Sequence, residues 1–140
     1  MSTPSEPDLA LWLSWKRINE VIRGRILADI LAHSVLTEPE FTLLAHIDEA
    51  GGTIRQNALA NAAGWDRTRL SHLLSRMETR GYLERERLHN GVDVSMLAHG
   101  REAFIATHEP LVVAVQQHFT RHLNAQQRDA LRDVIDALAD

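Results

Sequence analysis

Seven arginines and no lysine lie between Thr53 and Arg87, in a segment that contains only four acidic residues. The segment therefore carries a net charge of +3, whereas the whole chain carries −4. Arginine has a planar fork of N–H donors that can bond guanine O6 and N7 together or clamp a phosphate. The pattern predicts that this segment binds a polyanion, above all nucleic acid. The alternative is that the arginines only solvate a helix face.

A short amphipathic helix is predicted inside this segment, between Asp66 and Gly81. The Asp66 carboxylate can accept hydrogen bonds from the free N–H groups of a first turn, and Gly81 can adopt the positive φ that ends a helix. Four apolar residues recur at helical spacing and predict a buried stripe: Leu70, Leu73, Leu74 and Met77. The polar residues of this helix fall largely outside the stripe, so they are available to a partner.

A second helix and a hairpin are predicted around the first helix. Thr53-Ile54-Arg55-Gln56 has the pattern of a capping box, which predicts a helix over residues 53–63, and Gly64 permits a sharp turn after it. Tyr82–His89 and Val92–Leu97 are predicted strands joined by Asn90-Gly91, a strong hairpin signal. Together these elements are typical of a winged helix-turn-helix, whose second helix, here residues 66–80, enters the DNA major groove.

This arrangement assigns roles to the polar residues. Residues in the first two turns of the recognition helix reach base edges. The predicted base contacts are Thr68, Arg69 and His72, with Arg67 and Ser71 serving bases or phosphates. Among them, Arg69 is the predicted guanine contact. The predicted phosphate contacts, which hold position without selecting sequence, are Arg55, Arg76 and Arg87.

Helices are predicted on both sides of this lobe, which spans residues 37–99. Residues 1–7 are predicted to be flexible, and Asp8 begins a long helix that runs to about His33. Its apolar surface exceeds what one neighbour can cover, which suggests a second chain. Residues 8–36 and 100–140 are therefore a predicted helical dimerisation region, and a homodimer would bind a pseudo-palindromic operator in double-stranded DNA.

Caps and breaks divide the remaining helices. Thr37-Glu38-Pro39-Glu40 is a capping box that begins a helix, and Gly51-Gly52 ends it. Gly100 begins a long helical stretch that is predicted to break or kink at Pro110. Asn124, with Gln127 three residues later, begins the last helix. The predicted fold class is mainly α with a small β-hairpin wing.

Composition excludes several classes of protein. A chain of 140 residues with 44% apolar residues is expected to form one globular domain. The absence of cysteine excludes disulfides, thiol catalysis and cysteine-ligated zinc. No Gly-rich phosphate loop or serine nucleophile elbow is present, so we expect neither an enzyme nor a cofactor. No secretory leader or membrane span is found, which predicts a cytoplasmic protein.

Two further sites have competing interpretations. His118 and His122 are spaced i, i+4 on a predicted helix and could share a zinc ion, although surface histidines are the more common case, and no metal site is predicted. Trp15 could line a pocket for a small-molecule effector, with Arg17 or His33 meeting its carboxylate. The alternative is that the tryptophan packs in the dimer core. A metal-responsive regulator and a winged helix that binds other proteins are the alternative functions.

The chain resembles the MarR family of bacterial transcription regulators over nearly its whole length. The resemblance rests on four motifs in order: Leu59-Ala60 with Gly64, the run from Arg76 to Arg85, Ser95-Met96-Leu97 with Gly100, and Leu123–Gln127 followed by Leu131. It implies a homodimer with interleaved terminal helices, and a repressor released by a small anionic or aromatic ligand. The family's wing carries an Asp-x-Arg pattern where this chain has Leu88-His89-Asn90, so Arg87 or His89 is expected to contact the DNA backbone there.

Overall fold

The computed structural model describes residues 6–140. It is mainly helical with a small antiparallel sheet. In chain order its elements are α1 (Glu6–Leu31), α2 (Glu38–Glu49), β1 (Thr53–Arg55), α3 (Gln56–Ala63), α4 (Arg67–Thr79), β2 (Leu83–Leu88), β3 (Gly91–Met96), α5 (Ala98–Ile105), α6 (His108–His118), a short 3-10 helix (Thr120–His122) and α7 (Ala125–Leu138).

The chain divides into two compact units. His33–His108 form one, called here the winged unit, which contains α2 to α5 and the sheet. The chain up to Ala32 and Glu109–Asp140 form the other, the terminal unit, which contains α1 and α7 with most of α6. The predicted lobe of residues 37–99 is slightly shorter than the winged unit, because α5 belongs to this unit as well.

Helix α1 already includes Glu6, the first described residue, which lies two positions before the predicted cap at Asp8. Glu6 and Pro7 are therefore helical, and the rest of the segment predicted to be flexible, residues 1–5, lies outside the described residues. Proline is tolerated in a first turn, where its missing N–H has no intrahelical acceptor. In the described part of the chain, no helix is both long and apolar enough to cross a bilayer.

Three helices of the chain begin at the predicted caps. Thr37 and Glu40 form a complete capping box at α2, and Asn124 and Gln127 form one at α7. Asp66 caps α4, since its Oδ1 accepts a hydrogen bond from the Arg69 backbone N–H at 2.8 Å. These caps satisfy N–H groups that would otherwise lack partners at a helix N-terminus.

The predicted capping box at Thr53 is wrong. Thr53–Arg55 form β1, which pairs antiparallel with β3, and the sheet has the order β1-β3-β2. Helix α3 begins only at Gln56, and no side chain caps it. The Thr53 hydroxyl lies 2.9 Å from the Ser95 hydroxyl across the pair. The extended backbone of the strand places the Thr53 side chain against β3 and away from the first turn of α3.

The hairpin turn lies one residue earlier than predicted. Leu88 pairs with Gly91, so His89 and Asn90 form the two-residue turn and Gly91 already belongs to β3. Neither turn residue has positive φ, whereas Gly91 has a φ of 149°. The glycine therefore provides the unusual backbone conformation directly after the turn.

The break near Pro110 lies upstream of the proline. Helix α5 ends at Ile105 and α6 begins at His108, so Pro110 occupies the first turn of α6. Gly100 does not begin a helix, because α5 starts at Ala98. Its importance is steric: a Cβ at this position would overlap the backbone carbonyl of Tyr82. Close approach of two backbones requires glycine there.

The core of the winged unit contains the predicted stripe of α4. Leu70, Leu74 and Met77 are fully buried, and Leu73 is nearly so. The other fully buried side chains of this unit include Leu43, Leu44, Ile47, Leu59 and Val94. At its C-terminal end α4 has a Schellman motif, in which the N–H groups of Gly81 and Tyr82 donate to the carbonyls of Glu78 and Met77 at 3.0 Å. Helix α4 is thus fixed along one side and at both ends.

Candidate nucleic-acid interface

The outer side of α4 is a line of four exposed polar residues. Thr68, His72, Ser75 and Thr79 recur at intervals of four, three and four, which at 3.6 residues per turn places them on one side of the helix. This side is opposite the buried apolar stripe. Hydroxyl and imidazole groups can donate or accept hydrogen bonds, so the line can contact base edges. The sequence predicts that Ser75 is available to a partner, but it predicts base contacts only for Thr68 and His72 of this line.

Arginines flank this line on both sides. Arg69 and Arg76 lie along one flank of the helix, and Arg67 lies along the other with Ser71. Arg69 is exposed, and its guanidinium lies 4.2 Å from the centre of the Trp65 ring. Stacking on an aromatic face restricts an arginine while leaving its N–H edge available. Among the described residues, Arg67 and Arg76 make no ion pair.

Two arginines of the segment are bound internally. The Arg80 Nη1 donates to Oε2 of the buried Glu40 at 2.6 Å, and its guanidinium lies over the Tyr82 ring. The Arg85 Nε donates to Oε1 of Glu78 at 2.7 Å. Both arginines therefore stabilise the winged unit, and their charges are largely compensated by these carboxylates.

Arg55 occupies an intermediate position. Its Nε lies 3.1 Å from Oδ1 of Asp93, and its Nη1 donates to Oδ1 of Asn90 at 3.1 Å. These bonds connect β1 to the wing turn. The same residue lines a polar groove of about 540 Å³ between the wing turn and the N-terminus of α3, together with Gln56, Asn57, Ala58, Asn61, Asn90, Gly91 and Val92. Its side chain remains partly exposed, so its other N–H groups can still meet a phosphate.

The wing carries two further candidates. Arg87 in β2 and His89 in the turn are both exposed, and Arg87 makes no ion pair with any described residue. Arg85 and Arg87 are two residues apart in one strand, so they share a face of the sheet. Arg85 is bound to α4, and Arg87 lies one step nearer the tip. Of the seven arginines, Arg67, Arg69, Arg76 and Arg87 thus remain free of carboxylate partners.

The predicted effector residues Trp15 and Arg17 both lie on α1. Trp15 and Arg17 are two positions apart on α1, so they point about 200° apart around the helix. Arg17 lines a shallow depression of about 430 Å³ with Leu13, Ser14, Lys16 and Glu20, which does not include Trp15. His33 comes after the end of α1, and Arg17 lies 14 residues before that end, roughly 21 Å along the axis.

The two histidines considered for metal binding lie in different elements. His118 is the last residue of α6, and His122 is in the 3-10 helix, so the predicted continuous helix between them is wrong. The His118 Nε2 lies 2.6 Å from Oδ2 of Asp29, and the His122 Nε2 lies 3.1 Å from the Gln117 carbonyl oxygen. Among residues 6–140, no three histidine or carboxylate side chains come together as a metal site would require.

Comparison with known proteins gives consistent results. The sequence model that describes the MarR family matches residues 36–89 of this chain. The chain is 30% identical over 105 residues to the transcriptional regulator HosA of Escherichia coli O127:H6, covering 71% of this chain and 75% of HosA. The family match includes the whole of α4.

Two solved structures are similar to the whole fold. Sco3205 from Streptomyces coelicolor, a MarR family regulator in complex with DNA, has a TM-score of 0.74 at 23% identity, covering 99% of this chain and 89% of Sco3205. The organohalide-sensing regulator RdhR in its 2,4-dichlorophenol-bound form has a TM-score of 0.71 at 18% identity, covering 95% and 79%. These identities show the fold alone. Together with the family match and HosA, they show that this chain belongs to the MarR family of transcriptional regulators and is not an enzyme.

Proposed function

We propose that this protein binds double-stranded DNA sequence-specifically through the major groove, with α4 as the recognition helix. The observation that carries the proposal is the outer side of α4, where polar residues are exposed between arginines that no carboxylate compensates. The opposite side of the helix is buried in the core. A helix held in this way presents its side chains in a fixed geometry, which base recognition requires.

We assign the exposed polar residues of α4 and of the wing to two kinds of contact, those with bases and those with the DNA backbone. Thr68, Arg69 and His72 are the proposed base contacts, with Arg67 and Ser71 beside them. The proposed backbone contacts are Arg76, Arg87, His89 and the remaining N–H groups of Arg55. Arg80 and Arg85 are left out of both groups because carboxylates hold them.

The regulator is proposed to act as a homodimer. Large apolar side chains of the terminal unit are exposed in the single chain, among them Leu11, Trp12, Leu13, Ile18, Val113 and Leu138. Exposed apolar surface of this extent is typical of an interface. A two-fold pair would present two copies of α4 to the two halves of a pseudo-palindromic operator.

A small anionic or aromatic ligand is proposed to release the protein from its operator, so that it acts as a repressor in the cytoplasm. The support is the fold that it shares with RdhR, whose structure holds 2,4-dichlorophenol. Trp15 and His33 remain candidate contacts for this effector. Arg17 is the weakest of the three, since it lies on a different side of α1 from Trp15.

Equilibrium binding tests the proposal. The purified protein is titrated against the duplex upstream of its own gene and against a random duplex of equal length, at several salt concentrations. We expect binding to the upstream duplex to be at least ~10³-fold tighter, with a protected two-fold site. Equal and weak binding to both duplexes would count against it. A chain that binds neither and shows no salt dependence would support a winged helix that contacts proteins instead.

A further inference from the structure

The hydroxyl of Ser75, on the outer line of α4, is held by two partners. It donates to the Ser71 carbonyl oxygen at 3.0 Å, one helical turn earlier. It also accepts a hydrogen bond from the Arg85 Nη2 at 2.7 Å. Ser75 nevertheless belongs to the exposed side of the helix, where a DNA base would approach.

Arg85 is itself fixed from several directions. Its Nε donates to Oε1 of Glu78 at 2.7 Å, and its backbone N–H donates to Oε2 of the same carboxylate at 3.2 Å. Its Nη1 lies 3.4 Å from the Ser71 Oγ, and the side chain is only 22% exposed. All three guanidinium nitrogens thus have partners on α4, so the bond to Ser75 belongs to a fixed network.

These bonds leave the Ser75 hydroxyl able to accept one more hydrogen bond and unable to donate any. A hydroxyl has one hydrogen and two lone pairs, and the hydrogen and one lone pair are already used. Phosphate oxygens only accept hydrogen bonds, so they cannot use the remaining lone pair. In the major groove the donors are the N6 amine of adenine and the N4 amine of cytosine, whereas guanine and thymine present acceptors.

We propose that Ser75 is a specificity-determining residue that accepts a hydrogen bond from an adenine or cytosine amine in each half-site. Arg85 is a positioning residue, because its hydrogen bond keeps the Ser75 hydroxyl in an orientation in which the hydroxyl can accept a hydrogen bond from DNA but cannot donate one. This inference rests on the proposed DNA binding by α4. Thr79 provides a contrast, since its hydroxyl donates to the Ser75 carbonyl oxygen at 3.1 Å but accepts from no arginine among residues 6–140.

Selection from a randomised duplex library, followed by sequencing, tests the inference. Four proteins are compared: the natural chain, Ser75→Ala, Thr79→Ala as the matched control, and the double variant Glu78→Gln/Arg85→Met. The double variant removes the Arg85 donors without leaving the Glu78 charge unpaired beside DNA. Thermal melting confirms that each variant is folded before selection.

We expect the natural chain to select one position per half-site that is restricted to adenine or cytosine. Ser75→Ala should lose this restriction while keeping the other selected positions, and Thr79→Ala should keep it. The double variant should also accept guanine or thymine there, because the released hydroxyl can rotate and donate. A restriction that persists in Ser75→Ala overturns the role of Ser75, and one that persists in the double variant overturns the role of Arg85.

Base analogues at the selected position give a second readout. Replacing cytosine by 2-pyrimidinone, or adenine by purine, removes the amine alone, and the binding of the natural chain should weaken about five-fold. Ser75→Ala should show no such loss, whereas an equal loss in both proteins contradicts the proposal. If no sequence at all is enriched by the natural chain, the proposed function itself fails, which is a different outcome from an operator that does not depend on Ser75.

Discussion

The winged unit and the terminal unit place their apolar residues in opposite ways. In the winged unit Leu43, Leu74 and Met77 have no exposed surface. In the terminal unit, Ile30 is the one buried residue of the 26 in α1, and Leu11 is 73% exposed. The difference teaches that α4 is positioned by residues of its own unit, whereas the terminal helices need a further surface, which we propose is a second copy of the chain.

The same substitution in each unit should have very different effects. Leu74→Ala removes a fully buried side chain and should lower the free energy of unfolding by ~2–5 kcal/mol, at any protein concentration. Leu11→Ala removes an exposed side chain and should change the stability of the dissociated chain by less than ~0.5 kcal/mol. Chemical denaturation over a hundred-fold range of concentration measures both.

Analytical sedimentation measures the monomer–dimer equilibrium of the same two variants. Leu11→Ala should shift the monomer–dimer equilibrium toward monomer, so over the same range its unfolding midpoint should depend less steeply on concentration than that of the natural chain. Leu74→Ala should leave the equilibrium between folded chains unchanged. If Leu11→Ala changes neither association nor stability, the proposal that this side of α1 is covered in a dimer is wrong.

The features of the fold that the sequence predicted best are those formed between residues close together in the chain. The caps at Thr37, Asp66 and Asn124 involve partners three residues away, so the chemistry is visible in the local pattern. Strand β1 was missed because Thr53 satisfies a capping-box pattern locally, while the partner that pairs with it, Ser95, is 42 residues further along the chain. Pairing over such distances has no local signal.

The largest effect expected on DNA binding comes from Arg69. Arg69→Ala should weaken binding to the operator by ~1–3 kcal/mol and binding to a random duplex much less, because a base contact carries sequence information. Titrating both duplexes at one salt concentration measures the difference. Arg69→Lys is the control for charge, since an ammonium cannot bond O6 and N7 as a fork. Equal losses on both duplexes would make Arg69 a backbone contact.

The candidate site was predicted only in part, because sequence shows local spacing but not contacts between distant residues. Helical spacing identified the exposed side of α4, including Thr68 and His72. It did not distinguish free arginines from compensated ones, because the carboxylate that holds Arg80 belongs to Glu40, in another helix. The count of seven arginines therefore overestimated the charge available to DNA.

Removing one helix cap in each unit should have smaller effects on stability and allows the two units to be compared. Asp66→Ala and Asn124→Ala each remove a side-chain acceptor at a helix N-terminus and should each cost about 1 kcal/mol of stability. Only Asp66→Ala should also weaken operator binding, because α4 is the proposed recognition helix. Fluorescence titration with operator, at a temperature where both variants are fully folded, separates the two effects. A loss of affinity in Asn124→Ala as large as in Asp66→Ala would show that the effect is not local to α4.

The smallest effect expected is that of a single exposed arginine on the salt dependence of binding. Arg87→Ala should weaken operator and random duplex alike and reduce the slope of log affinity against log salt by about one, because one fewer counterion is released. Arg132 of α7 is a matched control, since its side chain is 72% exposed but lies outside the arginine-rich segment. Arg132→Ala should leave the slope unchanged. Equal slopes for the natural chain and Arg87→Ala would mean that Arg87 does not contact phosphate, which would leave His89 as the proposed backbone contact of the wing turn.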